Sequence, residues 1–282
     1  MPRRTIRKKG YVLVLTLGVI TLASIALASL ARYSLQRAAA ANEAAAALQQ
    51  RWGIWSVRHV LLSRANEILA AQVPDELAGA PPWPKPAQVA IEFELGRSRY
   101  SVSIADEDAK LNLSTLYDRK RERLMPAIQR LSAQSTVPMP TIRLWPVGTG
   151  RDAFRSWGQV FDLEAVSSVI SAIEAVGRYM TCWGSGRINV RRVDDTVLRE
   201  TALTVLSPKD VSKLIGARKN WGGQGLDELL DPLGLRRPQL LAMRRLLETE
   251  SRNYSVVVAV TDGRRERGYL FVDHGRSASF AW

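Results

Sequence analysis

The chain of 282 residues carries 40 Lys and Arg against 27 Asp and Glu, a formal net charge of +13. A basic balance of this size invites nucleic acid or an anionic membrane as partner, but the basic residues are dispersed and form no run beyond the first ten positions. A single cysteine, Cys182, excludes an intramolecular disulfide framework, and its thiol is expected to be buried rather than nucleophilic, since neither histidine has a motif relation to it.

Residues 1–10 hold five basic side chains (Arg3, Arg4, Arg7, Lys8, Lys9) and end in Gly10. From Tyr11 to Ala31 the residues are uncharged and mostly apolar. At about 1.5 Å per helical residue this stretch spans roughly 30 Å, the thickness of a bilayer's hydrocarbon core. Only Arg32 and Arg37 follow closely, so the positive-inside bias places the N-terminus in the cytoplasm and the remaining chain on the far side. A secretory signal peptide cut near Ala26-Leu27-Ala28 is the alternative, but a signal sequence ends in a helix-breaking segment. Here helix-favouring sequence runs past Ala28 through two alanine runs, with Gly53 as the one glycine between Leu35 and Gln72, and the first stop is Pro74. One helix of about sixty residues is predicted, 11–31 in lipid and 32–73 as its soluble continuation. Along it Leu48, Trp55, Leu62 and Leu69 recur every seven residues with Trp52 one turn away, an apolar stripe able to pack on a globular domain or on partner helices. His59 is read as a packed or rim histidine.

The soluble part, 74–282, opens with a proline-rich connector, Pro74 to Pro86, followed by Val89, Ile91, Phe93 and Leu95 alternating with polar or small residues. Tyr100, Val102 and Ile104 do the same after Gly96-Arg97-Ser98, which makes a half-buried hairpin. The connector and first hairpin thus cover 74–111. A matching pair, 254–282, closes the chain, with Val256, Val258 and Val260 on one face, the turn Asp262-Gly263, and Tyr269 to Val272 returning. About four strands are expected to pack on the long helix. Between the hairpins, 112–253 reads as helical, with candidates at Arg119 to Ser132, Leu163 to Val176, Asp195 to Thr201, Pro208 to Lys219 and Pro238 to Glu250. Ser207-Pro208-Lys209-Asp210 supplies an N-cap, an N1 proline and an N3 acid. Gly222-Gly223-Gln224-Gly225 reads as a flexible loop. The predicted fold class is therefore α+β: a long N-terminal membrane-spanning helix on a small antiparallel sheet, with a large helical domain inserted between two hairpins.

A basic leader ending in glycine, then an apolar helix running unbroken into a soluble domain, resembles the type IV pilins and the pseudopilins of type II secretion. The resemblance implies cleavage by a prepilin peptidase between Gly10 and Tyr11, methylation of the new N-terminus, and a formal net charge lowered to +8 once the leader's five basic residues are lost. A plain membrane anchor has much the same hydropathy. Most members of that family carry a glutamate at the fifth mature position, where this chain has Leu15. A subunit without that carboxylate has no amine to neutralise ahead of it. In this, and in the helical insertion, the chain resembles protein K, the large minor pseudopilin. Asp106-Glu107-Asp108-Ala109-Lys110-Leu111-Asn112-Leu113 and Gly186-Arg187-Ile188-Asn189-Val190 are similar to two segments of that family, although Arg191-Arg192-Val193 departs from its usual Asn-Thr-Ala. The implied role is a tip subunit that initiates the pseudopilus in protein export. The implied location is the inner membrane, with a single pass and the main domain in the periplasm. The implied partners are the prepilin peptidase, two smaller minor pseudopilins and the secretion machinery.

No enzyme is expected, because no Gly-x-Ser-x-Gly, Walker loop, His-Glu-x-x-His or zinc-spaced Cys/His set occurs. No cofactor is predicted either. Calcium, which some pseudopilins bind, leaves Asp106, Glu107 and Asp108 as metal candidates, but they lack calcium-loop spacing and read first as a solvated turn. Two other readings stand beside protein K. One is a minor pilin of a type IV pilus. The other is a membrane-anchored DNA receptor, because Ile188 to Val190 and Leu206 to Arg218 resemble a helix-hairpin-helix unit. Such a unit needs glycines to bring backbone N–H groups to phosphates, and Val205-Leu206-Ser207 stands in their place, so nucleic acid is not the expected partner.

Overall fold

The computed structural model describes residues 9–72, 83–96, 98–134, 140–146, 153–163, 174–262, 265–273 and 278–281. The chain divides into two compact units, Met1–Gly53 and Ile54–Trp282.

The described part of the first unit is helical throughout and belongs to α1 (Lys9–Ser63). Every side chain from Tyr11 to Ala45 is exposed. The hydroxyls of Thr16, Thr21 and Ser29 donate to the carbonyls of Leu13, Leu17 and Ile25 at 2.9, 2.8 and 2.8 Å. Three polar side chains are thus satisfied inside the helix, which is what hydrocarbon demands of them. By length and composition the helix is able to cross a membrane.

In the second unit the helix does not continue unbroken to residue 73. Arg64 leaves helical geometry at φ −109° and ψ 12°, and a short α2 (Ala65–Ala71) follows. Ser63 Oγ donates back to the His59 carbonyl at 2.7 Å, a contact of the kind that bends helices. The connector between Pro74 and Pro86 lies outside the described residues up to 82.

The strands β1 (Gln88–Leu95) and β2 (Ser98–Asp106) form the first hairpin, with Leu95 opposite Ser98. The last strands are β3 (Tyr254–Asp262), β4 (Arg265–Asp273) and β5 (Ala278–Ala281); of the predicted turn between β3 and β4, residue 263 lies outside the described residues. They make one antiparallel sheet in the order β1-β2-β3-β4-β5, five strands rather than about four. One face packs Tyr100, Val102, Ile104, Val256, Val258, Val260 and Phe271 against Val57 of α1 and Ala65 and Leu69 of α2. The opposite face presents Leu270 and Val272 to the core of the inserted domain. Half-burial therefore describes β1 but not the inner strands. The strands β2 and β3 are covered on both sides, and Ser103, Ala105, Ser255 and Ala259, small enough for close packing, fill the second face.

The insertion occupies residues 107–253. Its helix α3 (Leu113–Ser132) begins before the expected Arg119 because the Asn112 side chain accepts from Thr115 N at 2.8 Å and caps it. A non-helical Lys120 (φ −152°) marks the place where sequence alone sees a start. The helices α4 (Asp195–Ala202) and α5 (Pro208–Lys219) fall where predicted, and Ser207 Oγ accepts from Asp210 N at 3.3 Å. The short α6 (Leu226–Leu230) was not expected; α7 (Arg237–Leu246) stops before Glu250, where Leu247–Glu248 pairs in parallel with Ile188–Asn189. Most of the candidate Leu163 to Val176 lies outside the described residues. Leu124, Ile128 and Leu131 of α3 share a core with Leu198, Leu214 and Met243.

The glycine-rich loop is built in rather than free. Gly223 sits at φ +78°, and a Cβ there would lie 2.6 Å from the Trp83 ring. That ring stacks on Trp221 at 5.1 Å and donates from Nε1 to the Trp221 carbonyl at 2.8 Å. Gly223→Ala is expected to destabilise the protein by about 1–2 kcal/mol through left-handed strain, besides displacing Trp83. Gly216→Ala, in the exposed interior of α5 with open space at its Cβ, should gain about 0.5–1 kcal/mol. Urea unfolding followed by tryptophan fluorescence reads both; a lowered midpoint for Gly216→Ala with none for Gly223→Ala contradicts this account.

Candidate functional site

Among the described residues, the sequence directs attention to three places: the N-terminal helix surface, the helical pair α4–α5, and the acidic segment at the end of β2. Gly10 lies in the first turn of α1, and residues 1–8 of the leader lie outside the described residues. Tyr11 and Leu15 are 74 % and 56 % exposed, on the same uncovered apolar surface.

The predicted partner face of the helix is divided by the fold. Leu48, Trp52 and Trp55 are more than half exposed. His59 stacks on Trp55 with ring centroids 4.1 Å apart and is exposed. Leu62 is half-buried against the sheet cluster, and Leu69 is fully buried in it. This corrects the stripe: Leu69 belongs to the protein's own core and cannot meet a partner. The break at Arg64 separates it from the helix that carries the others, and a seven-residue spacing drifts around a straight helix in any case.

In the helical pair, Leu206 fills the turn between α4 and α5 and is buried. At the first turn of α5, Ser207 Oγ donates to Asp210 Oδ2 at 2.7 Å, and this bond, with Lys213 Nζ at 3.6 Å, holds the Asp210 carboxyl below its usual pKa. A phosphate approaching that helix end meets a carboxylate already in place.

The acidic segment is not a solvated turn. Asp106, Glu107 and Asp108 are 0 %, 2 % and 1 % exposed. Asp106 ends β2, and a 3-10 turn, Glu107–Ala109, carries the chain into the insertion. Asp106 Oδ1 accepts from Asp108 N at 2.9 Å; its Oδ2 accepts from Ser251 Oγ at 2.5 Å and faces an Arg192 guanidinium nitrogen at 3.6 Å. Glu107 Oε1 pairs with Lys110 Nζ at 2.5 Å and accepts from Ser255 Oγ, while Oε2 accepts from Thr181 Oγ1. Asp108 Oδ1 takes Ser185 N at 2.7 Å, and Oδ2 takes Arg252 N at 3.0 Å and Asn253 N at 3.2 Å. Asn253 Nδ2 donates to both of these oxygens.

All six carboxylate oxygens are thus directed at protein donors, two of which are cations. A calcium ion needs several of those oxygens free and would have to displace Lys110 or Arg192, so the set does not fit a metal. Among the described residues no cluster of His, Cys, Asp and Glu could hold one. What the arrangement does is join three stretches distant in sequence: the end of β2, residues 181–192, and residues 251–255.

Two asparagines from the motif-like segments serve the same junction. Asn112 Nδ2 donates to the Trp183 carbonyl at 2.5 Å, and Asn189 Nδ2 donates to Ser251 Oγ at 2.6 Å. Gly186 (φ +73°) passes so close to α3 that a Cβ would stand 2.4 Å from Thr115 Oγ1. The sequence marked this stretch through Gly186-Arg187-Ile188-Asn189-Val190, but not what it packs against. Cys182 is buried beside Glu107, and burial together with that charge pushes its thiol well above the usual pKa, so it stays protonated.

No family model matches the chain, and no curated protein matches it at a significant level. Among solved structures, a chain of the GspK-GspI-GspJ complex from the type 2 secretion system of enterotoxigenic Escherichia coli is similar over 86 % of this chain and 98 % of that one, with 15 % identity and a TM-score of 0.46. A superposition that loose assigns no role by itself.

Burial pushes the Asp106 carboxyl up to about 7, against the opposing pull of Ser251 and Arg192 and with Asp108 adding to the rise. Because the folded pKa lies above the unfolded one, this group favours folding fully below about pH 4, and that contribution is lost as pH rises through 7. A change on the order of a few kcal/mol is expected. Glu248, also raised chiefly by burial, acts in the same direction, and Tyr254 next to Asp106 is pushed to about 12 and stays neutral. Urea unfolding between pH 5 and 8 should show a slope that Asp106→Asn flattens, whatever the variant does to absolute stability; an unchanged slope contradicts the assignment.

Proposed function

We propose that this chain is a minor pseudopilin of the protein K type, a non-enzymatic subunit at the tip of a type II secretion pseudopilus. In this reading residues 11–31 cross the inner membrane with the N-terminus cytoplasmic and the main domain periplasmic. The observation that carries it is the content of α1: one helix, Lys9–Ser63, is uncharged and mostly apolar from Tyr11 to Ala31 and exposed from Tyr11 to Ala45, and its final turns supply Val57 to the core of an antiparallel sheet. A helical domain interrupts that sheet between β2 and β3. The basic leader and Gly10 support cleavage by a prepilin peptidase and methylation of Tyr11. The exposed Leu48, Trp52 and Trp55 suit contacts with two smaller minor pseudopilins during pseudopilus initiation and protein export across the outer membrane.

Intact-mass measurement of the protein from membranes should give a mature chain beginning at Tyr11, methylated, and Gly10→Val should leave the precursor uncut. A start at Ser29, or no processing, removes the main support for a pseudopilin.

Position at the tip rests on two features. Leu15 replaces the carboxylate that neutralises a neighbouring subunit's amine in lipid. The domain between β2 and β3 would crowd its neighbours if repeated along a shaft packed through N-terminal helices. Immunogold labelling of isolated fibres is expected at one end only, with fibre initiation lost on deletion of the gene. Labels spread along the shaft contradict the tip position even where cleavage after Gly10 is found.

A further inference from the structure

The outer edge of β1 is built to receive another strand. β1 stands at the end of the strand order, with β2 along one side and no described residue paired along the other. Its pairing with β2 runs without a bulge from Gln88 opposite Ala105 to Leu95 opposite Ser98, and the strand contains neither proline nor glycine. Sheet edges are usually blunted by shortness, proline, bulges or charge, and only charge is present here.

That charge is of one sign at the exposed positions. Glu92 and Glu94 project from the same face, and Glu94 is 69 % exposed while pairing at 3.2 Å with Arg99 on β2. On the other face Val89, Ile91 and Phe93 are only half-buried at the rim of the core that holds Val57 and Leu69. A second copy is a poor occupant. Antiparallel pairing of two β1 strands in the registers that pair most of the strand and keep the apolar residues on one face sets glutamate against or beside glutamate.

We propose that β1 docks an extended segment of a different polypeptide as an added strand, one whose residues alternate between basic and apolar. Lysine or arginine side chains lie over Glu92 and Glu94, and the alternate apolar side chains cover Val89, Ile91 and Phe93. Backbone hydrogen bonds supply the attraction and the alternating side chains supply the selectivity. This edge is distinct from the exposed part of α1 and does not depend on the secretion reading.

The test uses the full chain in neutral detergent micelles with a labelled short peptide alternating valine and lysine, the same peptide N-methylated at alternate residues so that one edge cannot form a ladder, and a valine–glutamate counterpart. Anisotropy should show binding of the lysine peptide alone, and hydrogen exchange should show new protection in Gln88–Leu95. The double substitution Glu92→Lys, Glu94→Lys, at exposed positions, should weaken that binding about tenfold. Equal binding by the N-methylated peptide reduces the contact to charge attraction and overturns the proposal. Protection appearing elsewhere, or no binding at millimolar peptide, overturns it as well. The peptide comparison on the unaltered chain decides the matter even if the double variant folds poorly.

Discussion

Three carboxylates buried beneath the surface are the constraint on which the soluble part depends. An ionised carboxylate buried and unpaired costs several kcal/mol, and removing one member of a buried pair costs about 3–5 kcal/mol. Donors that arrive together from residues 181–192 and 251–255 offset that cost for Asp106, Glu107 and Asp108, although burial still leaves Asp106 harder to ionise than a free carboxyl. The sheet and the inserted domain are therefore not two bodies joined by linkers. The charges at the end of β2 are satisfied only when both are folded and docked, so the junction favours one arrangement over all looser ones.

The sheet gains from this on both sides. Its inner strands are covered by the end of α1 and by α2 on one face and by the insertion on the other. Valine-rich β3 suits that double burial, and Ser103 and Ser255 tolerate it because they form hydrogen bonds, Ser103 with Gln88 and Ser255 with Glu107. The edge strand β1 keeps the alternation of a surface strand, and no described strand pairs beyond it.

What could be read from sequence was what local physics decides. The bounds of α5 were legible because Ser207, Pro208 and Asp210 encode a helix start that needs no tertiary help. The hairpins were legible through period-two alternation, and the bilayer-length stretch through its lack of charge. The break at Arg64 was not, because it follows from a side-chain bond to the backbone and from packing on the sheet, neither of which alters the hydrophobic pattern. The acidic run was misread as solvated for a related reason: Ser251 and Asn253 stand 145 residues from Asp106 and Asp108 in the chain, and the donors that make burial tolerable cannot be seen from the carboxylates alone. β5 was missed because the short run Ala278–Ala281 has almost no strand signature and forms by pairing with β4.

The register at the junction also bears on where such an insertion came from. Asp106 and Tyr254 are directly opposite each other on neighbouring strands, so the two ends of the inserted domain are separated by only about 5 Å. A chain that once turned tightly from one strand into the next could accept a whole domain at this point without moving either strand. Once Leu270 and Val272 had come to rely on the newcomer for cover, and the carboxylates on its donors, the exchange would no longer run backwards. Deleting the domain and closing the gap with a tight turn would restore the connection but leave an apolar sheet face in water and unpaired charges at its end.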